Sequence, residues 1–101
     1  MNLNTEYEFD AYKNAKLKQE RGISFEEIIY YINNGCLLDT IEHPNKEKYA
    51  EQQFYVVDVE DYVYLVPFVE NEKHIFLKTI LPSRKHTKLY LKEMLDKQKE
   101  R

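Results

Sequence analysis

Tryptophan is absent from this chain, cysteine occurs once, and glycine and proline number only two and three in 101 residues. The lone Cys36 excludes an internal disulfide and any cysteine-based metal site. So little glycine and proline leaves no flexible linker, and there is no internal repeat or low-complexity segment. No stretch approaches the roughly 20 apolar residues needed to span a bilayer. Residues 1–10 hold neither a basic start nor an apolar run, so no signal peptide is expected there. The expectation from these absences is a reduced, cytoplasmic protein without a membrane partner. At this length a single domain, 1–101, is expected.

The apolar fraction is 43% and the aromatic fraction 14%, with nine Tyr and five Phe, which is a globular composition. Net charge is −3, and that small value hides two poles. Residues 73–101 hold nine basic side chains against three acidic ones, whereas residues 24–72 hold two basic against eleven acidic. Residues 1–23 balance four against four. The basic pole suits a phosphate backbone; the acidic one suits a basic partner or water.

Residues 6–9 read as a short strand with Tyr7 and Phe9 on one face. Asp10 is placed to N-cap a helix over 11–21, with Gly22 at its left-handed end and Tyr12, Ala15 and Gln19 along its inner side. Ser24 and Glu27 form a capping box, Ile23 and Ile28 a hydrophobic staple, and Phe25, Ile28, Ile29 and Ile32 a core-facing stripe. Asn33-Asn34-Gly35 ends that helix. Leu37, Leu38 and Ile41 then mark a strand, followed by a polar loop over 43–49. Residues 54–59 and 62–69 are rich in aromatic and β-branched residues, and only Glu60-Asp61 separates them, which predicts a tight hairpin. Pro67 cannot donate to a ladder and marks a bulge or an unpaired stretch. A last strand is predicted over 74–81. Ser83 then caps a helix from Arg84 to about Lys97 that packs through Leu91, Met94 and Leu95. The order β-α-α-β-β-β-β-α describes an α+β fold, an antiparallel meander covered on one face by two N-terminal helices and one C-terminal helix.

Two motifs carry a family resemblance. Glu8-Phe9-Asp10-Ala11-Tyr12-Lys13, followed by Arg21-Gly22-Ile23-Ser24-Phe25-Glu26-Glu27, resembles the opening of BrnT family toxins. Arg84-Lys85-His86-Thr87-Lys88 resembles the basic motif at the start of that family's last helix. The resemblance implies a RelE-like fold and the toxin component of a type II toxin–antitoxin pair. It implies a ribonuclease that halts translation, and a cognate antitoxin through which alone operator DNA is contacted. At the family's usual Asn, K-H-G and Ala positions this chain has Leu17, Glu20-Arg21-Gly22 and His86.

Cleaving RNA without a metal needs a base for the 2′-OH, an acid for the leaving 5′ oxygen, and cations for the transition-state charge. No cofactor is expected. Arg84 suits the cationic role, because its planar fork holds two phosphate oxygens and the first turn of a helix favours an anion. Lys78, Lys85 and Lys88 would enlarge that cradle. Lys13 and Arg21 sit two turns apart on the first helix, and convergence of that helix with the last would join two basic patches. The expected catalytic set is Arg84, Lys13 and Lys78, with Arg21, Lys85, Lys88 and His86 binding substrate. His86 carries an imidazole suited to acid or base work. His43 and His74 have no partner at metal-ligand spacing, so no metal site is expected. The acidic tip Asp58, Glu60 and Asp61 is solvated or meets a basic antitoxin segment. The competing expectation is a toxin-fold binding module without catalysis, which pairs with an antitoxin-like partner and regulates its operon. A homodimer or hetero-oligomer accords with either.

Overall fold

The computed structural model describes the backbone of residues 6–99 and the side chains of residues 6–91. In chain order the elements are β1 (Glu6–Glu8), α1 (Ala11–Arg21), α2 (Phe25–Tyr31), β2 (Leu37–Glu42), β3 (Gln52–Val59), β4 (Tyr62–Asn71), β5 (His74–Leu77), β6 (Leu81–Pro82) and α3 (Arg84–Lys99). They form an α+β fold around one sheet of order β1-β5-β4-β3-β2, with β6 also on β4. Strands β2 to β5 make the expected antiparallel meander. Strand β1 is not part of it: it lies parallel to β5 at the far edge, Tyr7 opposite Ile75.

The helices cover both faces of the sheet, which corrects the expectation of one covered face. Along β3, Tyr55 and Val57 enter a core shared with Leu17 of α1 and with Phe25 and Ile28 of α2. Val56 between them points the other way and packs with Val63 and with Leu91 of α3. A strand buried on both sides needs an unbroken apolar run, and Phe54-Tyr55-Val56-Val57 supplies one. The packing expected of Met94 and Leu95 lies outside the described side chains.

Helix α1 turns a different side inward from the one its sequence indicated. Tyr12 is 71% exposed, and Ala15 and Gln19 also face solvent. The buried residues are Asn14 and Leu17. Apolar spacing could not reveal this side, because its key residue is polar. Asn14 Oδ1 accepts from the backbone N–H of Phe25 at 2.7 Å, and its Nδ2 donates to Glu26 Oε1 at 2.7 Å. One side chain thus satisfies a free amide at the start of α2 and fixes the angle between two helices. The capping box forms as expected: Ser24 Oγ accepts from the Glu27 amide at 3.2 Å, and Glu27 Oε1 accepts from the Ser24 amide at 3.0 Å. Past Tyr31 the helix widens into a π-type turn over 32–36, and Gly35 leaves it at φ 85°.

The strand predicted over 74–81 is interrupted, and Pro67 explains the break. Pro67 sits within β4, opposite Phe54 of β3, and its carbonyl accepts from the Lys78 amide at 2.8 Å on the β5 side. Within a strand, N–H and C=O of one residue point to the same side, so the donor that proline lacks is missing there too. Strand β5 ends at Leu77, and pairing with β4 resumes only at Leu81 opposite Leu65.

Replacing Asn14 by Leu should lower stability by about 1–3 kcal/mol, since the Phe25 amide is then buried without a partner. Urea unfolding measures this. The second Asn14 bond, donated by Nδ2, holds the exposed Glu26 carboxyl below the usual range. Its contribution is therefore present above the unfolded-state pKa and lost as pH falls through the lowered folded value. Asn14→Leu should flatten the acid limb of the stability–pH curve, and an unchanged limb would refute the assignment.

Candidate functional site

The break between β5 and β6 opens a seam at residues 78–80, bordered by α1 on one side and leading through β6 to the start of α3. Ile80 turns fully into the core beneath α1 and α2. Its carbonyl, outside any ladder, accepts from Arg21 Nη1 at 2.6 Å. Arg21 reaches it because Gly22, at φ 69°, terminates α1 there, its amide donating to the Lys18 carbonyl at 3.1 Å. Asp10 fixes the other end of α1, accepting from the amides of Tyr12 and Lys13 at 2.8 and 3.2 Å.

Between α1 and the seam lies a cleft of about 240 Å³, lined by Lys13, Lys16, Leu17, Glu20, Arg21 and Thr79. Its lining has three cations, one carboxylate and one hydroxyl. The volume lies below the range of pockets for drug-sized ligands. A group the size of a phosphate, held by charge and hydrogen bonds, matches that lining. Lys13 and Arg21, paired by spacing alone in the sequence, do share this cleft. Lys16 and Thr79 complete it. Lys16 lies one turn from Lys13 and was legible only as one of several surface charges. Nothing in the sequence marked Thr79, which the strand break brings into place.

Arg84, Lys85 and Lys88 are exposed on the first turns of α3. This helix start is tied down firmly. The Ser83 amide donates to the Val63 carbonyl at 3.0 Å, Thr87 Oγ1 accepts from the Val63 amide at 2.8 Å, and Thr87 Oγ1 donates to the Ser83 carbonyl at 2.7 Å. Ser83 Oγ caps the helix by accepting from the His86 amide at 3.1 Å. His86 Nδ1 also meets Ser83 Oγ at 2.7 Å, and its ring stacks on Tyr90 at 6.2 Å. Tyr90 in turn donates to Asp39 Oδ2 at 2.8 Å. The imidazole is therefore part of the packing of α3 on β2.

Arg84 follows Ile80 by four residues, a reach of at most about 14 Å. The cleft and the start of α3 thus border one seam, although Arg84 is not among the residues lining the cleft. Lys78, next to Thr79 in the chain, is not among the residues lining that cleft. It lines a separate cleft of about 380 Å³ with Glu47 and Glu51 beside the loop that precedes β3. The three residues expected to act together are therefore spread over a cleft, a helix start and a second cleft.

Comparisons with protein-family models, curated proteins and solved structures found no match to this chain.

Arg21→Met should lower stability by about 1–2 kcal/mol in urea unfolding, because the Ile80 carbonyl loses a charge-assisted partner. Lys16→Met, on the same cleft, should leave stability within about 0.5 kcal/mol. Equal losses in the two variants would show that Arg21 does not anchor the seam.

Proposed function

We propose that this chain is the toxin of a type II toxin–antitoxin pair, an RNA-directed protein with a RelE-like fold that acts in the cytoplasm. The observation that carries the reading is the Arg21–Ile80 bond, which sets the cations of α1 beside the seam leading to Arg84. In this reading the cleft formed by Lys13, Lys16, Arg21 and Thr79 holds one phosphate of an RNA strand. Arg84, with Lys85 beside it, holds a neighbouring phosphate at the start of α3. Arg84 has the stronger claim on the scissile group, because a planar fork beside the free amides of a helix start stabilises added charge on a phosphate. Lys78 plays an outlying part in binding, and His86 positions the helix start through Ser83. No metal or cofactor is required by this scheme. The cognate antitoxin is the protein partner, and operator DNA is reached through it.

A second reading is favoured by a specific observation. Arg21 and His86, two of the groups best suited to chemistry, are both engaged in structural bonds, to Ile80 and to Ser83. A chain so committed binds RNA or an antitoxin-like partner without cleaving it and regulates its operon.

Induced expression should arrest growth, and Arg84→Ala should relieve the arrest while cutting RNA cleavage about 10²-fold, the usual loss of one stabilising donor. Arg84 is exposed, so the fold should persist, as circular dichroism would verify. An Arg84→Ala protein as toxic as its parent would refute the role of Arg84. Intact RNA at large protein excess would favour the second reading.

A further inference from the structure

Away from the seam, the α2 end of the molecule carries a surface of a different chemistry. Tyr30 is 60% exposed and meets Tyr31 edge-on, ring centroids 5.4 Å apart. Tyr31 is half-buried, and its hydroxyl donates to Glu60 Oε1 at 3.2 Å, tying α2 to the β3–β4 turn. On the same sheet face, at the start of β4, half-buried Tyr62 and Tyr64 make a second edge-on pair at 5.5 Å. Glu27 links the pairs. It stands four residues before Tyr31 on α2, on the same side of the helix, and after burial its charge is among the causes that raise the hydroxyl pKa of Tyr31 and Tyr64.

The segments that build this surface contain no cation. Residues 22–45 and 49–72, which include α2, β2, β3 and β4, have neither Lys nor Arg. One exposed and three half-buried tyrosine rings with carboxylates beside them and no basic side chain of their own are complementary to one kind of group. A guanidinium or ammonium gains a ring face and a carboxylate together, and tyrosine is among the residues that dominate binding energy at protein interfaces.

The geometry points to a docking surface, made by Tyr30, Tyr31, Tyr62 and Tyr64 with Glu27 and Glu60, for an arginine- or lysine-bearing segment of a second, different protein. A copy of this same chain is the less suitable occupant. Contact through its exposed α3 cations Lys85 and Lys88, across the sheet, would be head-to-tail, and its α1 cations Lys13, Lys16 and Arg21 line the cleft already described. Under the toxin reading the occupant is the antitoxin, and only that name rests on the reading; the surface stands on its own geometry.

The test uses fluorescein-labelled nona-arginine as the probe, with labelled nona-aspartate as the charge control, on the full chain. The parent protein should bind nona-arginine and not nona-aspartate. Amide shifts in a heteronuclear NMR titration should centre on residues 27–31 and 60–64. The double variant Tyr30→Ala/Glu60→Gln should bind about tenfold more weakly. The double variant Glu47→Gln/Glu51→Gln, which removes two carboxylates elsewhere against one at the surface, should bind as the parent does. Thermal melts check that both variants remain folded. Equal affinity in parent and Tyr30→Ala/Glu60→Gln, shifts centred on residues 47–51, or light scattering showing self-association abolished by Tyr30→Ala would each overturn the proposal. Growth arrest and RNA cleavage are read separately, so failure of the docking surface and failure of the toxin reading are distinguishable.

Discussion

A single missing amide hydrogen organises the working side of this molecule. Pro67 is buried in the longest strand, and on the β5 side it has a carbonyl to offer and no donor. The neighbouring chain therefore pairs up to Leu77, leaves the ladder, and returns at Leu81. What happens in the gap sets the rest. Ile80 drops into the core, its carbonyl is claimed by Arg21, and the chain emerges positioned to cross to the far face and begin α3.

Polar side chains in this fold act as joints between elements that hydrophobic contact alone would leave free to slide. Asn14 sets α1 against α2, Ser83 and Thr87 set α3 against β4, and Tyr90 with Asp39 sets α3 against β2. Apolar packing is permissive about rotation and translation, whereas a buried amide with one available acceptor is not. The two charge poles follow from the same division. Cations gather on α1 and at the start of α3 beside the seam, and acids gather around the β3–β4 turn and α2, which the sequence leaves without any Lys or Arg.

Much of the scaffold was legible because local signals and tertiary structure agree. The capping box at Ser24 and Glu27, the Ser83 cap and the two-residue hairpin at Glu60-Asp61 all form. That hairpin forms although both turn residues, at φ 52° and 70°, take a conformation that favours Asn or Gly. The inner side of α1 was hidden because its anchor is an asparagine, and periodicity counts only apolar residues. The placement of helices on both faces was in fact written in β3 and β4, whose apolar runs do not alternate with polar residues. The missing donor at Pro67 was legible too, but its effect on a strand ten residues away was not. Of the candidate site, the pairing of Lys13 with Arg21 could be read from helical spacing. Thr79 could not, since its position depends on that remote break.

The parallel pairing of β1 with β5 joins Tyr7 to Ile75 across most of the chain. Such a contact closes a very large loop, and its entropy is recovered only once the partner strand exists. During synthesis β1 must wait, solvated, until the residues up to β5 have been made. Its docking can come only after β5 has joined the growing sheet, which makes a strand translated before β5 one of the last to find its place.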